Sequence, residues 1–183
     1  MVDWPGWATE TVEIRPPDAA WQQRGEQERQ LLEARLGPWL VAEVEHVGST
    51  AVPGLAAKPI LDLQAAVADL RSAPRIAATL EPHRWHYVEP ELDDRPWRRF
   101  FVKVSDGHRV AHLHVMTLAS ARWHEQLAFR DALRADARLM ESYAAIKSAL
   151  AAEHADDREA YSAAKSSFIR AVLDPGITEG NPR

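Results

Sequence analysis

Apolar and polar positions along this 183-residue chain follow two periods, and the changes between them mark its elements. TVEI at 11–14 predicts a short strand ended by Pro16-Pro17. Asp18 then caps a helix through AAWQQRGEQERQLLEARLG, closed near Gly37-Pro38, with Gly25 weakening its middle. LVAEVEHVG and ILDLQAAV read as strands. In the second, Leu61, Leu63, Ala65 and Val67 share one face, and Ile60, Asp62, Gln64 and Ala66 share the other. A helix from Asp69 to Leu80 follows, disturbed by Pro74. RWHYVEPELDDRPWRRF is aromatic, charged and broken by prolines; it reads as a loop holding a short strand at Trp85–Val88. FFVKV and VAHLHVM, joined through Asp106-Gly107, predict a hairpin in which His112 and His114 lie opposite Ala111, Leu113 and Val115.

The last third is helical in three pieces, 121–134, 137–151 and 157–173. The third opens with Asp156 and Glu159 at capping-box spacing and buries Tyr161, Phe168, Ile169 and Val172. Residues 1–10 read as a loose arm whose Trp4 and Trp7 can dock on the body, and 174–183 as a tail rich in turn formers. The expected organisation is one domain over 11–173. Strands early and helices late make it α/β of the α+β kind, one mixed sheet with helices at its side and end.

Composition changes this picture little. Apolar residues at 46% and charged residues at 27% are ordinary for a globular domain. The formal charge of −5 argues against a binder of nucleic-acid backbones. With no cysteine, disulfides, thiolate metal sites and cysteine nucleophiles are excluded. No secretory signal or spanning apolar run is legible, so the expectation is a cytoplasmic protein without a membrane partner. The oligomeric state leaves no mark in the sequence.

EHVGSTAVPGLAAKPILDLQ, residues 45–64, holds the first candidate chemistry. Gly48 permits a sharp turn or a close ligand, and the Ser49 and Thr50 hydroxyls can join backbone N–H groups around an anionic oxygen. The same three residues also make an ordinary capped turn. Asp62 sits inside an apolar strand, where a carboxylate meets a donor, a cation or a metal, or faces a cleft. A two-metal phosphoryl-transfer site needs several carboxylates, and the next same-face position holds Gln64. HLH points two imidazoles one way, for a transition metal, a phosphate or acid–base work. His46, of the same parity as Gly48, is a candidate to join them. Lys58 precedes the Asp62 strand. Lys165 and Lys147 stand on the expected buried sides of their helices, where a long stem covers apolar surface while its ammonium reaches the rim; Lys165 alternatively crosses to an anion or to Asp62. Arg130 is a weaker member of that group. Arg95, Arg98 and Arg99 surround Trp97, which either stacks on a base or belongs to a salt-bridged loop with its acidic prelude EPELDD.

VEI followed by a tryptophan at 21, HVGSTAVPGLAAKPILDL, HLHV, HEQLAFRDALRAD and DDREAYSAAKSSFI together resemble the GrpB family over roughly 11–173. That family is placed in the nucleotidyltransferase-like superfamily, so the resemblance implies a nucleotidyltransferase-like mixed β-sheet core with flanking and C-terminal helices. Gly48 and Ser49 match the superfamily's Gly-Ser turn and Asp62 its first carboxylate. Gln64 takes the place of the second acid, and His112 and His114 occupy the strand expected to carry the third.

The function this implies is transfer of a nucleotidyl or phosphoryl group to a small molecule. Gly48, Ser49, Thr50, Lys58 and Lys165 would hold phosphate, and Asp62, His112 and His114 would act as catalytic and metal-binding residues. The implied cofactors are Mg or Mn, with Zn as the transition-metal alternative; the implied partner is a nucleotide or another small phosphorylated molecule. Two alternatives stand beside it: a noncatalytic module for such ligands, and a histidine-based metal-binding protein.

Overall fold

A computed structural model describes residues 6–8, 10, 13–153 and 158–174, without the side chains of Ala8 and 158–163. Five strands, β1 (Glu45–Val47), β2 (Leu61–Ala66), β3 (Trp85–Val88), β4 (Arg99–Ser105) and β5 (His108–Met116), form one sheet in the order β1-β2-β5-β4-β3. Only β2 and β5 run parallel; the other neighbours are antiparallel. This is the mixed α/β architecture expected. The β4–β5 hairpin turns through Asp106 at φ 53° and Gly107 at φ 77°, both left-handed, as a two-residue primed turn requires.

The sheet's two faces carry different loads. Leu61, Leu63, Ala65, Phe101, Ala111, Leu113 and Val115 pack with Trp21, Leu32 and Leu36 of α1 (Ala20–Leu36) and Ile76 and Leu80 of α2 (Ala73–Leu80). The opposite face holds Asp62, Gln64, His112 and His114, and the C-terminal helices α4 (Ala121–Ala135), α5 (Ala137–Glu153) and α6 (Arg158–Leu173) lie on that side. Val52, Leu55, Phe129, Leu133 and Tyr143 give these helices their own core, flanked by the expected Phe168, Ile169 and Val172. A single helical turn, α3 (Pro90–Asp93), interrupts the Trp97 loop.

Several elements differ from expectation for local reasons. Of the strand at 11–14, Thr11 and Val12 lie outside the described residues, and Glu13 and Ile14 belong to no strand. Arg15 instead makes one antiparallel bridge with Ala57, which Pro16-Pro17 cannot extend for want of N–H groups. The strand at 40–48 shortens to Glu45–Val47 because Val44 N–H donates to Glu33 of α1 at 3.1 Å. Pro74 does not disturb α2; it occupies the first turn, where no N–H is needed. Gly25 does not break α1 either. Trp7 docks, with its ring 5.5 Å from that of His86 and its carbonyl accepting from Arg109. Trp4, the Asp156–Glu159 pair, the Tyr161 side chain and 175–183 lie outside the described positions.

Candidate functional site

Gly48 ends β1 with φ at +69°, and a Cβ built there would stand 2.6 Å from Asp62 Oδ2. The turn thus passes directly over the carboxylate, closer than any other residue type permits. Ser49 opens a single 3-10 turn, Ser49–Ala51, and its Oγ accepts from Lys147 Nζ at 3.0 Å. Lys147 also donates to the Ala56 carbonyl and sits 4.9 Å from the centre of the Tyr143 ring. One buried lysine of α5 therefore grips the glycine turn and the far end of its loop together. Burial, reinforced by the charge of Lys165, lowers the Lys147 ammonium to about 7. Burial lowers Lys165 too, against the opposing pull of Asp62.

The parallel register sets Asp62 beside His112 and Gln64 beside His114. His112 Nδ1 donates to Asp62 Oδ1 at 3.0 Å, and His114 Nε2 stands 3.9 Å from the same oxygen. Burial alone would raise the Asp62 carboxyl, but the imidazole hydrogen bonds outweigh it and hold the group well below the usual carboxylate range. Burial, with the charge of Arg98, pushes His114 down to about 4, against Asp62, so the imidazole is neutral at pH 7. Phe100 packs on both rings, at 5.1 and 5.2 Å between centroids.

Arg98 closes this row from the loop before β4. It is 8% exposed, makes two hydrogen bonds to the Asp93 carboxylate, donates to His114 Nδ1 and lies 4.1 Å over the Phe100 ring. The salt-bridged form of the Trp97 loop is thus the one observed, with Asp93 of EPELDD as the buried partner. Beside it a cavity of about 580 Å³ opens between this loop, α4 and α6, walled by Asp94, Arg95, Trp97, Arg122, Gln126 and Ser166.

Gly48, Ser49, Asp62, His112, His114 and Lys165 are brought into this one region. Thr50 is placed otherwise: it is 1% exposed, and its hydroxyl donates to the Ile60 carbonyl and meets His46 Nε2 at 3.0 Å. Lys58 is half-buried on the connection into β2. His46 does not join the site, because it pairs with Leu63 in register and so faces α1. Arg130 donates to Glu45 at 2.6 Å and to the His46 carbonyl, tying α4 to β1. Lys147 and Arg98 are the two residues that enter the site without having been placed there from sequence. Spacing against Tyr143 marked Lys147 as inward-facing; Arg98 sits in a loop, where no periodicity reports direction.

The superfamily's divalent pair does not fit these side chains. Gln64 is fully buried, and its Nε2 donates to the Trp123 carbonyl at 3.2 Å, which makes it a joint between sheet and α4. Asp93 is committed to Arg98 and Glu45 to Arg130. Among the described residues no three His, Asp or Glu side chains are arranged as an ion cage.

A family model described as GrpB protein matches residues 11–175. A UPF0157 protein of Pseudomonas aeruginosa is 39% identical over 177 residues, which cover 93% of this chain and 69% of that protein. The crystal structure of conserved protein GrpB from Enterococcus faecalis matches with a TM-score of 0.78 at 29% identity, over 89% of this chain and 96% of that one. GLD-2, in its complex with RNP-8, matches at 0.56 and 14% identity over 91% of this chain and 64% of that one, a likeness of fold alone. The mixed sheet, with its glycine turn above Asp62, is thus a nucleotidyltransferase-like fold, and the chain belongs to the GrpB family.

Proposed function

We propose that this chain binds a small phosphorylated molecule of nucleotide size in the cleft between the sheet and the C-terminal helices. The observation that carries the reading is Ser49, on the glycine turn, held by buried Lys147 with Lys165 nearby. An ammonium depressed by burial and by a neighbouring ammonium is short of negative charge, which a phosphate supplies. The absence of a Cβ at Gly48 lets the turn lie against the Asp62 carboxylate, which sets Ser49 and Asp62 side by side. A cavity of about 580 Å³ beside the Arg98–Asp93 pair, lined by neither Ser49 nor the two lysines, is within the range of small-molecule sites and has the Trp97 indole as a flat wall. Titration calorimetry with ATP and with sodium pyrophosphate tests this. Saturable binding that weakens about tenfold or more in Lys147→Met is the expected outcome. No binding of either compound removes the reading.

A second reading, transfer of a nucleotidyl or phosphoryl group to a hydroxyl acceptor, is favoured by the Asp62–His112 contact. A carboxylate holding an imidazole by Nδ1 is an arrangement that orients a base. Formation of ADP with phosphorylated acceptor, or of pyrophosphate with nucleotidylated acceptor, from ATP and a hydroxyl compound, lost in His112→Gln, is its expected signature; ATP bound and returned intact leaves binding as the function.

A further inference from the structure

We propose that the site holds its phosphorylated ligand as a bare anion, with lysines in the place a divalent ion would otherwise take; this rests on the binding reading above. The argument follows the protons on two histidines. A guanidinium only donates, so the Arg98 contact makes His114 Nδ1 an acceptor and places that ring's proton on Nε2. That nitrogen faces Asp62 Oδ1 at 3.9 Å. The carboxylate only accepts, so the His112 Nδ1 beside it at 3.0 Å carries a proton as well. Both imidazole nitrogens that face Asp62 are therefore donors, whereas a metal ligand needs a lone pair there.

Turning either ring over is opposed by its surroundings. His114 would lose Arg98, which is buried and otherwise committed to Asp93, and Phe100 packs on both rings. The charges point the same way. Lys147 reaches Ser49 on the glycine turn at 3.0 Å, Lys165 lies within electrostatic reach of Asp62, and Arg98 is paired with Asp93. A divalent ion at Asp62 would stand among these basic side chains, whereas an anion is drawn to them. Gln64, at the position of the superfamily's second acid, contributes no charge; its Nε2 donates to the Trp123 carbonyl, and its buried Oε1 accepts no hydrogen bond among the described residues.

The test uses untagged full-length protein. In the first arm, the electron paramagnetic resonance signal of free Mn²⁺ is followed as protein is added. The expected result is no loss of signal; loss that Asp62→Asn abolishes overturns the proposal. In the second arm, calorimetry with sodium pyrophosphate compares EDTA with excess Mg²⁺. Affinity in EDTA equal to or greater than that in Mg²⁺, weakened about tenfold or more by Lys165→Met, is expected; binding that requires Mg²⁺ overturns it. Pyrophosphate bound in neither condition defeats the phosphate-binding reading instead, and the Mn²⁺ arm still decides whether Asp62 takes a cation. Side-chain ¹⁵N spectra supply an independent check. They should show His112 protonated on Nδ1 and His114 on Nε2, with His114 alone becoming a tautomer mixture in Arg98→Met; an unprotonated Nδ1 on His112 overturns the argument.

Discussion

Gly25 stands inside a helix, where alanine is favoured by about 1 kcal/mol. A Cβ at that position would lie 2.1 Å from His46 Nδ1, on a ring already fixed through its other nitrogen to Thr50. Gly25→Ala is therefore expected to destabilise the fold by about 1–3 kcal/mol in urea unfolding, reversing the sign that helix propensity gives. Gly48→Ala combines a left-handed φ with a 2.6 Å approach to Asp62, so loss of ATP binding should exceed whatever stability is lost. Gln64→Glu restores the superfamily's second acid in name only. It buries a carboxylate against the Trp123 carbonyl, and a loss of about 3 kcal/mol or more, without gain of Mn²⁺ binding, is the expected outcome. These residues also mark how far sequence reaches. Strand parity placed His112 with His114 and Asp62 with Gln64, each pair on one face of its own strand; the β2–β5 register is what brings the two pairs together. Parity could not place Thr50, whose partners depend on where a turn happens to point.

Helices α4, α5 and α6 hold the other half of the site, and their mutual packing rests on aromatic contacts. Phe129 meets Tyr143 at 5.0 Å and Phe168 at 6.5 Å, both edge-on. Phe129→Ala should cost about 3 kcal/mol by thermal or urea unfolding, and should loosen Lys147 from Ser49 as α5 shifts. The three helices were legible because each repeats its apolar positions over four turns or so. β1 was not legible at its true length, since a side chain of α1 takes the N–H that would have extended it. Lys147 also gives α5 an unusual pH response. An unfolded chain keeps that proton until about 10.5 and the native protein releases it near 7. Between those values unfolding takes up a proton, so stability rises with pH, by up to about 1.4 kcal/mol per unit. Lys147→Met should flatten that slope, as read from urea midpoints across the same window.

At the scale of the whole molecule, acid acts through two neutral histidines on opposite faces of the sheet. His46, lowered by burial, and His114, lowered by burial and Arg98, both titrate near 4 in the native state against 6.5 when unfolded. Stability is therefore fully present above pH 6.5 and falls as pH drops toward 4, by up to about 1.4 kcal/mol per unit for each. His46→Gln should remove one of the two contributions while leaving the ligand site in place. The order of events in synthesis follows from the grip of Lys147 on Ser49, which spans 98 positions. The glycine turn leaves the ribosome with strands β1 and β2, long before the helix that holds it has been made. The proposed phosphorylated ligand would thus have nothing complete to bind on the nascent chain, and would stabilise only the finished protein.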